Sequence, residues 1–181
     1  MSLAFQWYSQ AGGTSSTEVI GLPRNQVALF IGRFQPFHKG HLHAIRWIAE
    51  KSARVIVAIG SSQEKGTPEN PYTAKKRRAM VKAALCESGL DGKCRVFLLA
   101  DINNDEKWVA HVDASLPRYG ICYSNNPLVL RLMREGGKKA ARVPFLRRRY
   151  YNATAIRERM RQRLCWKERV PKAVAEEIKG R

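Results

Sequence analysis

Apolar residues gather in four short runs along the chain, at 27–31, 55–59, 96–100 and 120–123. None alternates with polar residues, the pattern of strands buried on both faces of a parallel sheet. Between them, apolar positions recur at helical spacing near 41–52, 73–88, 106–115 and 127–135. Two more helical stretches follow near 154–165 and 171–179, the second opened by Pro171, whose fixed φ suits a helix start. Strand and helix in alternation predict an α/β fold on one doubly wound parallel sheet, with helices on both faces and further helices at the C-terminus. Residues 1–26, rich in Gly, Ser, Thr and Gln without a sustained period, read as an N-terminal extension to a single domain over 27–181.

Each apolar run gives way to a short segment of turn-forming and polar residues, at 32–34, 60–63, 101–104 and 124–127. Ligands of open α/β sheets lie outside the carboxyl ends of the strands, so these four segments converge on one edge. Ordinary turns use the same residue types, and four in series carry more weight than one. The first continues into His38-Lys39-Gly40-His41 at the entrance of the first helix. A helix N-terminus turns unpaired N–H groups toward phosphate, and two imidazoles three residues apart can donate to the same polyphosphate. Gly40 lets a nucleotide approach the backbone, while Arg33 and Lys39 bring charge. The plain alternative is two surface histidines in a turn; the placement of the whole string between a buried strand and a helix favours phosphate.

The 181 residues suit one compact domain, and 44% hydrophobic content suffices for a core. The net charge of +18 favours anionic partners such as nucleotides, nucleic acid or acidic lipid. The basic residues are scattered, with no RRM-like or zinc-finger pattern, which argues against a nucleic-acid partner. No apolar run approaches a membrane span, and no basic segment precedes an apolar stretch at the N-terminus, so a cytoplasmic location is expected. Cys86, Cys94, Cys122 and Cys165 lack CxxC spacing and read as reduced thiols.

The string from Gly32 to Leu42 resembles the HxGH signature of the nucleotidylyltransferases, and in detail the archaeal type of nicotinamide-nucleotide adenylyltransferase. The similarity runs on through 59–63, 70–74, 101–102, 108–111, 123–129 and 154–157, in order. It implies a Rossmann-like sheet and transfer of the adenylyl group of ATP to nicotinamide mononucleotide (NMN), giving NAD and pyrophosphate. His38, His41, Arg33 and Arg157 would carry catalysis, and Gly32, Phe34, Gly40, Asn126, Pro127, Thr154 and Ile156 would bind ATP. Ser61, Asn70, Pro71, Thr73, Asp101, Ile102 and Trp108 would bind NMN. The resemblance also implies Mg2+ arriving with ATP, no protein-built metal site, and a homo-oligomer, often a hexamer.

Local readings accompany these roles. Thr73 and Thr154 read as helix N-caps. Ile156, Met160 and Leu164 recur at helical spacing and are expected in the core, leaving Arg157 toward the sheet edge. Trp108 fits either a platform for a flat ring or a core residue beside Val109 and Val112. Two positions depart from the family: Glu69 stands where an Arg is expected before the Asn-Pro-Tyr-Thr segment, and Asp105 replaces an Asn. Lys75, Lys76 and Arg77 are the cations available to compensate. Nicotinate mononucleotide, phosphopantetheine and FMN therefore stand as alternative acceptors, and a non-enzymatic basic nucleic-acid-binding protein as the alternative of a different class.

Overall fold

The computed structural model describes residues 26–180, so the extension expected over 1–26 lies outside the described residues except for Gln26. Five parallel strands form one sheet: β1 (Val27–Gly32), β2 (Arg54–Ile59), β3 (Cys94–Leu98), β4 (Ile121–Tyr123) and β5 (Ala140–Ala141). Their spatial order is β3-β2-β1-β4-β5. The crossover helices are α1 (Lys39–Lys51), α2 (Ala74–Glu87), α3 (Asp105–Ser115) and α4 (Pro127–Glu135). The chain closes with α5 (Ala153–Arg161), a single 3-10 turn (Lys167–Arg169) and α6 (Lys172–Lys179).

Alternation along the strands splits the core in two. Ala28 and Phe30 of β1, with Val55, Val57 and Ile59 of β2, pack against α1, α2 and α6. Leu29 and Ile31, with Ile56 and Ala58, pack against α3 and α4 on the other face. This is the doubly wound sheet the apolar runs predict. The chain leaves β1 for β2 and β3, then returns to lay β4 against the free side of β1. The order therefore reverses between β1 and β4, and a crevice opens there at the carboxyl ends of the strands.

Several expected boundaries shift, each for a local reason. The third strand starts and ends two residues earlier than its apolar run: Leu99 N donates the last rung to Ile59 O, and Leu99 O accepts from Ser62 N in the loop after β2. As the sheet's edge strand it also exposes Arg95 and Leu98, so it is not buried on both faces. β5 has no apolar run to announce it, being only two alanines. α5 ends at Arg161; Arg163 takes φ 55°, and Leu164 is 45% exposed instead of joining the core. Thr154 is not the cap of α5, because Asn152 holds that place and accepts from Ala155 N at 2.7 Å. Pro171 caps α6 from outside its first turn. Thr73 does cap α2, accepting from Lys76 N. The four cysteines are free thiols, and no helix among the described residues is long and apolar enough to cross a membrane.

Candidate active site

The two histidines build the start of α1 and are built by it. His38 is the N-cap, with its Nδ1 accepting from His41 N at 3.2 Å, while His41 Nδ1 accepts from His38 N at 3.3 Å. The imidazoles thus occupy the two positions of a capping box and satisfy two otherwise orphan amides. They stack at 3.5 Å between centroids, 18° from parallel, with Phe34 edge-on to His41 at 4.8 Å. Because each Nδ1 is an acceptor, each neutral ring carries its proton on Nε2. Burial lowers the His38 pKa to about 3, and burial together with the neighbouring His38 holds His41 well below the usual imidazole value. Both rings are therefore neutral donors near neutral pH.

A cavity of about 820 Å³ opens above this pair at the carboxyl ends of β1 and β4. Gly32 at the end of β1, Arg33, Phe34 and His38 in the loop that follows, and Gly40 and His41 in the first turn of α1 line it. Ser61 contributes from the loop after β2, and Asp101 and Trp108 from beyond β3. Asn126 and Pro127 at the start of α4, and Thr154 and Arg157 at the start of α5, complete the wall. Trp108 lines the cavity and, at 9% exposure, also belongs to the core cluster under α3 and α4.

Five expected site residues stand elsewhere. Ile156 is fully buried in the core and its N–H is bonded to Asn152 O, so neither side chain nor amide is offered to ATP. Pro71 and Thr73 are exposed outside the lining, and Thr73 is occupied as a cap. Ile102 is exposed and also outside it. Asn70 is buried next to these, its Oδ1 without a partner and its N–H held by Thr67.

Of the three cations expected to offset Glu69, Lys75 is exposed, and the other two are committed to the protein itself. Lys76 Nζ donates to Gly180 O at 2.9 Å and pairs with Glu177 on α6. Arg77 is completely buried and bonded to main-chain carbonyls. Glu69 and Asp105 do line the cavity, so the carboxylates are where the family comparison raised the question. Arg157 donates from Nη1 to Gln35 O at 2.8 Å and from Nη2 to Thr154 Oγ1 at 3.4 Å. Burial and the nearby Arg33 lower its pKa, partly offset by Glu69; a guanidinium keeps its charge regardless.

Three features lay outside the sequence reading. Gln35 pins the Tyr72 peptide with both ends of its amide, donating to Tyr72 O at 2.9 Å and accepting from Tyr72 N at 3.0 Å. Gln63 does the same to Asp101, at 3.0 and 2.9 Å, and His111 Nε2 donates to Ala100 O at 2.9 Å. Finally, Phe34 (φ 53°), Ser61 (φ 46°) and Asn103 (φ 49°) all adopt left-handed backbone after three successive strands, and all line the cavity. Non-glycine residues in that region cost on the order of 1 kcal/mol or more each and persist where the surroundings over-determine them, typically at functional sites. Both glutamines sit inside strings already singled out, and only their partners were hidden. Among the described residues no cluster of three His, Cys, Asp or Glu could hold a metal ion.

Comparison with known proteins agrees with this geometry. A family model described as cytidylyltransferase-like matches residues 29–159. The nicotinamide-nucleotide adenylyltransferase 1 of Sulfolobus acidocaldarius is 42% identical over 158 residues, covering 84% of this chain and 90% of that protein. The corresponding protein of Pyrococcus furiosus is also 42% identical, covering 83% and 81%. Among solved structures, a bifunctional NMN adenylyltransferase/ADP-ribose pyrophosphatase from Francisella tularensis, complexed with AMP and a manganese ion, superposes with a TM-score of 0.67 at 28% identity. That match covers 81% of this chain but only 44% of the bifunctional one.

Proposed function

We infer the reaction from the chain's membership of the cytidylyltransferase-like family and, within it, of the nicotinamide-nucleotide adenylyltransferases. The protein transfers the adenylyl group of ATP to nicotinamide mononucleotide, forming NAD and pyrophosphate. The observation that carries this onto the chain's own residues is the stacked His38–His41 pair at the mouth of α1, in one cavity with Arg33 and Arg157.

The chemistry follows from that arrangement. A phosphate oxygen of the mononucleotide, already anionic near neutral pH, attacks the α-phosphorus of ATP, and pyrophosphate leaves from the opposite side. No general base is needed, and both histidines, with Nδ1 occupied by a backbone N–H and their basicity lowered, present Nε2–H as donors. Their Nε2–H groups would meet the phosphoryl oxygens where negative charge grows, in a setting that needs no reorganisation because each ring is fixed through Nδ1. Arg157, oriented by Gln35 O and Thr154 Oγ1, would hold the outer phosphates, with Arg33 beside it. Rate enhancement in this scheme is alignment plus charge stabilisation.

A divalent cation, Mg2+ in our reading, fits the donor set only as a companion of ATP. With no protein cage among the described residues, its ligands would be phosphate oxygens and water, and it would supply charge neutralisation. Trp108 in the cavity wall is our choice for the nicotinamide platform, with Ser61 and Asp101 on the same side. A cytoplasmic location and a homo-oligomer belong to the same reading, and a native mass measurement checks the second.

Incubation of the purified protein with ATP, Mg2+ and each candidate acceptor, followed by chromatography, tests the assignment. NAD and pyrophosphate are expected with nicotinamide mononucleotide. A dinucleotide formed only from nicotinate mononucleotide, phosphopantetheine or FMN would move the acceptor, and none from any would refute the reaction.

A further inference from the structure

Arg77 is the largest side chain that is wholly buried, with 0% exposure, and its acceptors are all main-chain carbonyls. Nη1 donates to Arg33 O at 3.0 Å and to Gly60 O at 2.9 Å. Nη2 donates to Ser61 O at 3.0 Å and to Glu64 O at 3.3 Å. One guanidinium on α2 therefore grips the segments that follow β1 and β2, which carry the residues on opposite sides of the cavity. Nε is buried without an acceptor. A buried cation with an orphan donor is a poor way to add stability, since desolvation costs as much as the contacts return. What the planar fork does supply is a fixed spacing between four carbonyls, which a flexible ammonium cannot reproduce.

The position of those carbonyls matters. Arg33 O belongs to the peptide that enters Phe34, and Ser61 O to the residue itself at φ 46°. The clamp thus holds two of the three left-handed residues around the cavity, the kind of strained backbone that relaxes unless something pins it. We infer that Arg77 is a positioning residue of the transfer reaction: without touching substrate, it sets the distance between the ATP-side loop carrying Arg33 and the acceptor-side loop carrying Ser61. This rests on the adenylyltransferase reading for its consequence in turnover, though not for the clamp itself.

Alignment errors act on the transition state more than on binding, and displacement by ~1 Å costs ~100-fold in rate. Arg77→Lys keeps the charge and loses the fork; Arg77→Met loses both. In Arg77→Lys, kcat is expected to fall by about 10- to 100-fold while both Michaelis constants stay within about fivefold. Arg77→Met is expected to lose at least as much. Hydrogen exchange at 60–64 should quicken in Arg77→Lys while α1 keeps its protection. A kcat for Arg77→Lys within about twofold of the parent overturns the inference. So does a loss that tracks the unfolded fraction, with exchange rising everywhere. If Arg77→Met fails to fold, Arg77→Lys decides alone. If the parent protein makes no NAD, the reaction assignment fails, and exchange at 60–64 still decides the clamp: local quickening supports it, unchanged protection removes it.

Discussion

Acid should destabilise this protein through the His38–His41 pair. An unfolded histidine titrates near 6.5, whereas His38 in the fold is lowered to about 3 by burial. Above pH ~6.5 neither state binds the proton and the site contributes no pH dependence. Below it the unfolded chain gains a proton that the folded chain refuses, so stability falls as pH falls, and goes on falling until the folded group titrates. From about pH 7 to about pH 5 the linkage integral gives ~2 kcal/mol lost through His38 alone. His41, also lowered, adds to the loss with the same sign, since a proton on one ring repels a proton on the other at 3.5 Å. Against a total stability on the order of 5–15 kcal/mol, this is a large share.

Urea unfolding at both pH values, on the parent and on His38→Asn, measures the effect. Asparagine keeps an acceptor for the His41 amide, so the cap of α1 survives while the titration does not. Acid effects of the carboxylates are common to both proteins and drop out of the difference. The parent should lose about 2 kcal/mol more than His38→Asn over the interval. Bound tripolyphosphate should narrow the gap, because anions favour the protonated rings. Parallel pH profiles would refute the neutral-donor description of the site.

Three further outcomes follow from the cavity wall. In Gly40→Ala the new Cβ would stand 3.0 Å from His38 Nδ1 and 3.2 Å from Tyr151 Cβ. The ring must yield by about 0.5 Å, so turnover should drop about tenfold while the ~0.5–1 kcal/mol helix gain keeps the melting temperature near the parent's; unchanged kcat would count against the assigned role of His38. In Glu69→Gln, removal of a carboxylate that acts on Arg157 should lower a substrate Michaelis constant about fivefold at low salt and less at high salt; no change at either salt would mean the carboxylate is screened. Trp108→Leu should raise the Michaelis constant for the mononucleotide about tenfold and leave that for ATP unchanged. Equal effects on both substrates would assign Trp108 to the core alone.

The apolar runs were enough to read four of the five strands, while β5, only two alanines, left no such signal. They were a poor guide to ends. Leu99 and Ala100 continue the third run in composition, yet the pairing with β2 ends at Leu98, with Leu99 N donating the last rung to Ile59 O. Leu164 keeps the helical spacing of Ile156 and Met160, but the chain passes through a left-handed Arg163 and the spacing stops mattering. The cap of α5 was misplaced on Thr154 because Asn152 and Thr154 are both good caps, and only the fold decides between neighbours of similar propensity.

Cations posed a harder problem, since a count of them says nothing of where their donors are spent. Lys76 and Arg77 look like free positive charge beside Glu69, and both are used up on carbonyls and carboxylates of the protein itself. Arg157 shares its guanidinium between the cavity and Gln35, 122 residues away in the chain. The +18 surplus therefore overstates the charge at the cavity, whose wall holds Arg33, Arg148, part of Arg157 and two uncharged imidazoles. Neutral Nε2–H donors gain most when negative charge concentrates on the oxygen they face, which happens in the transition state and not in free ATP. In the proposed reaction, the contacts that hold them in line, through Nδ1 of His38 and His41 and the segments pinned by Gln35, Gln63 and Arg77, would count as much as the cations that the sequence displays.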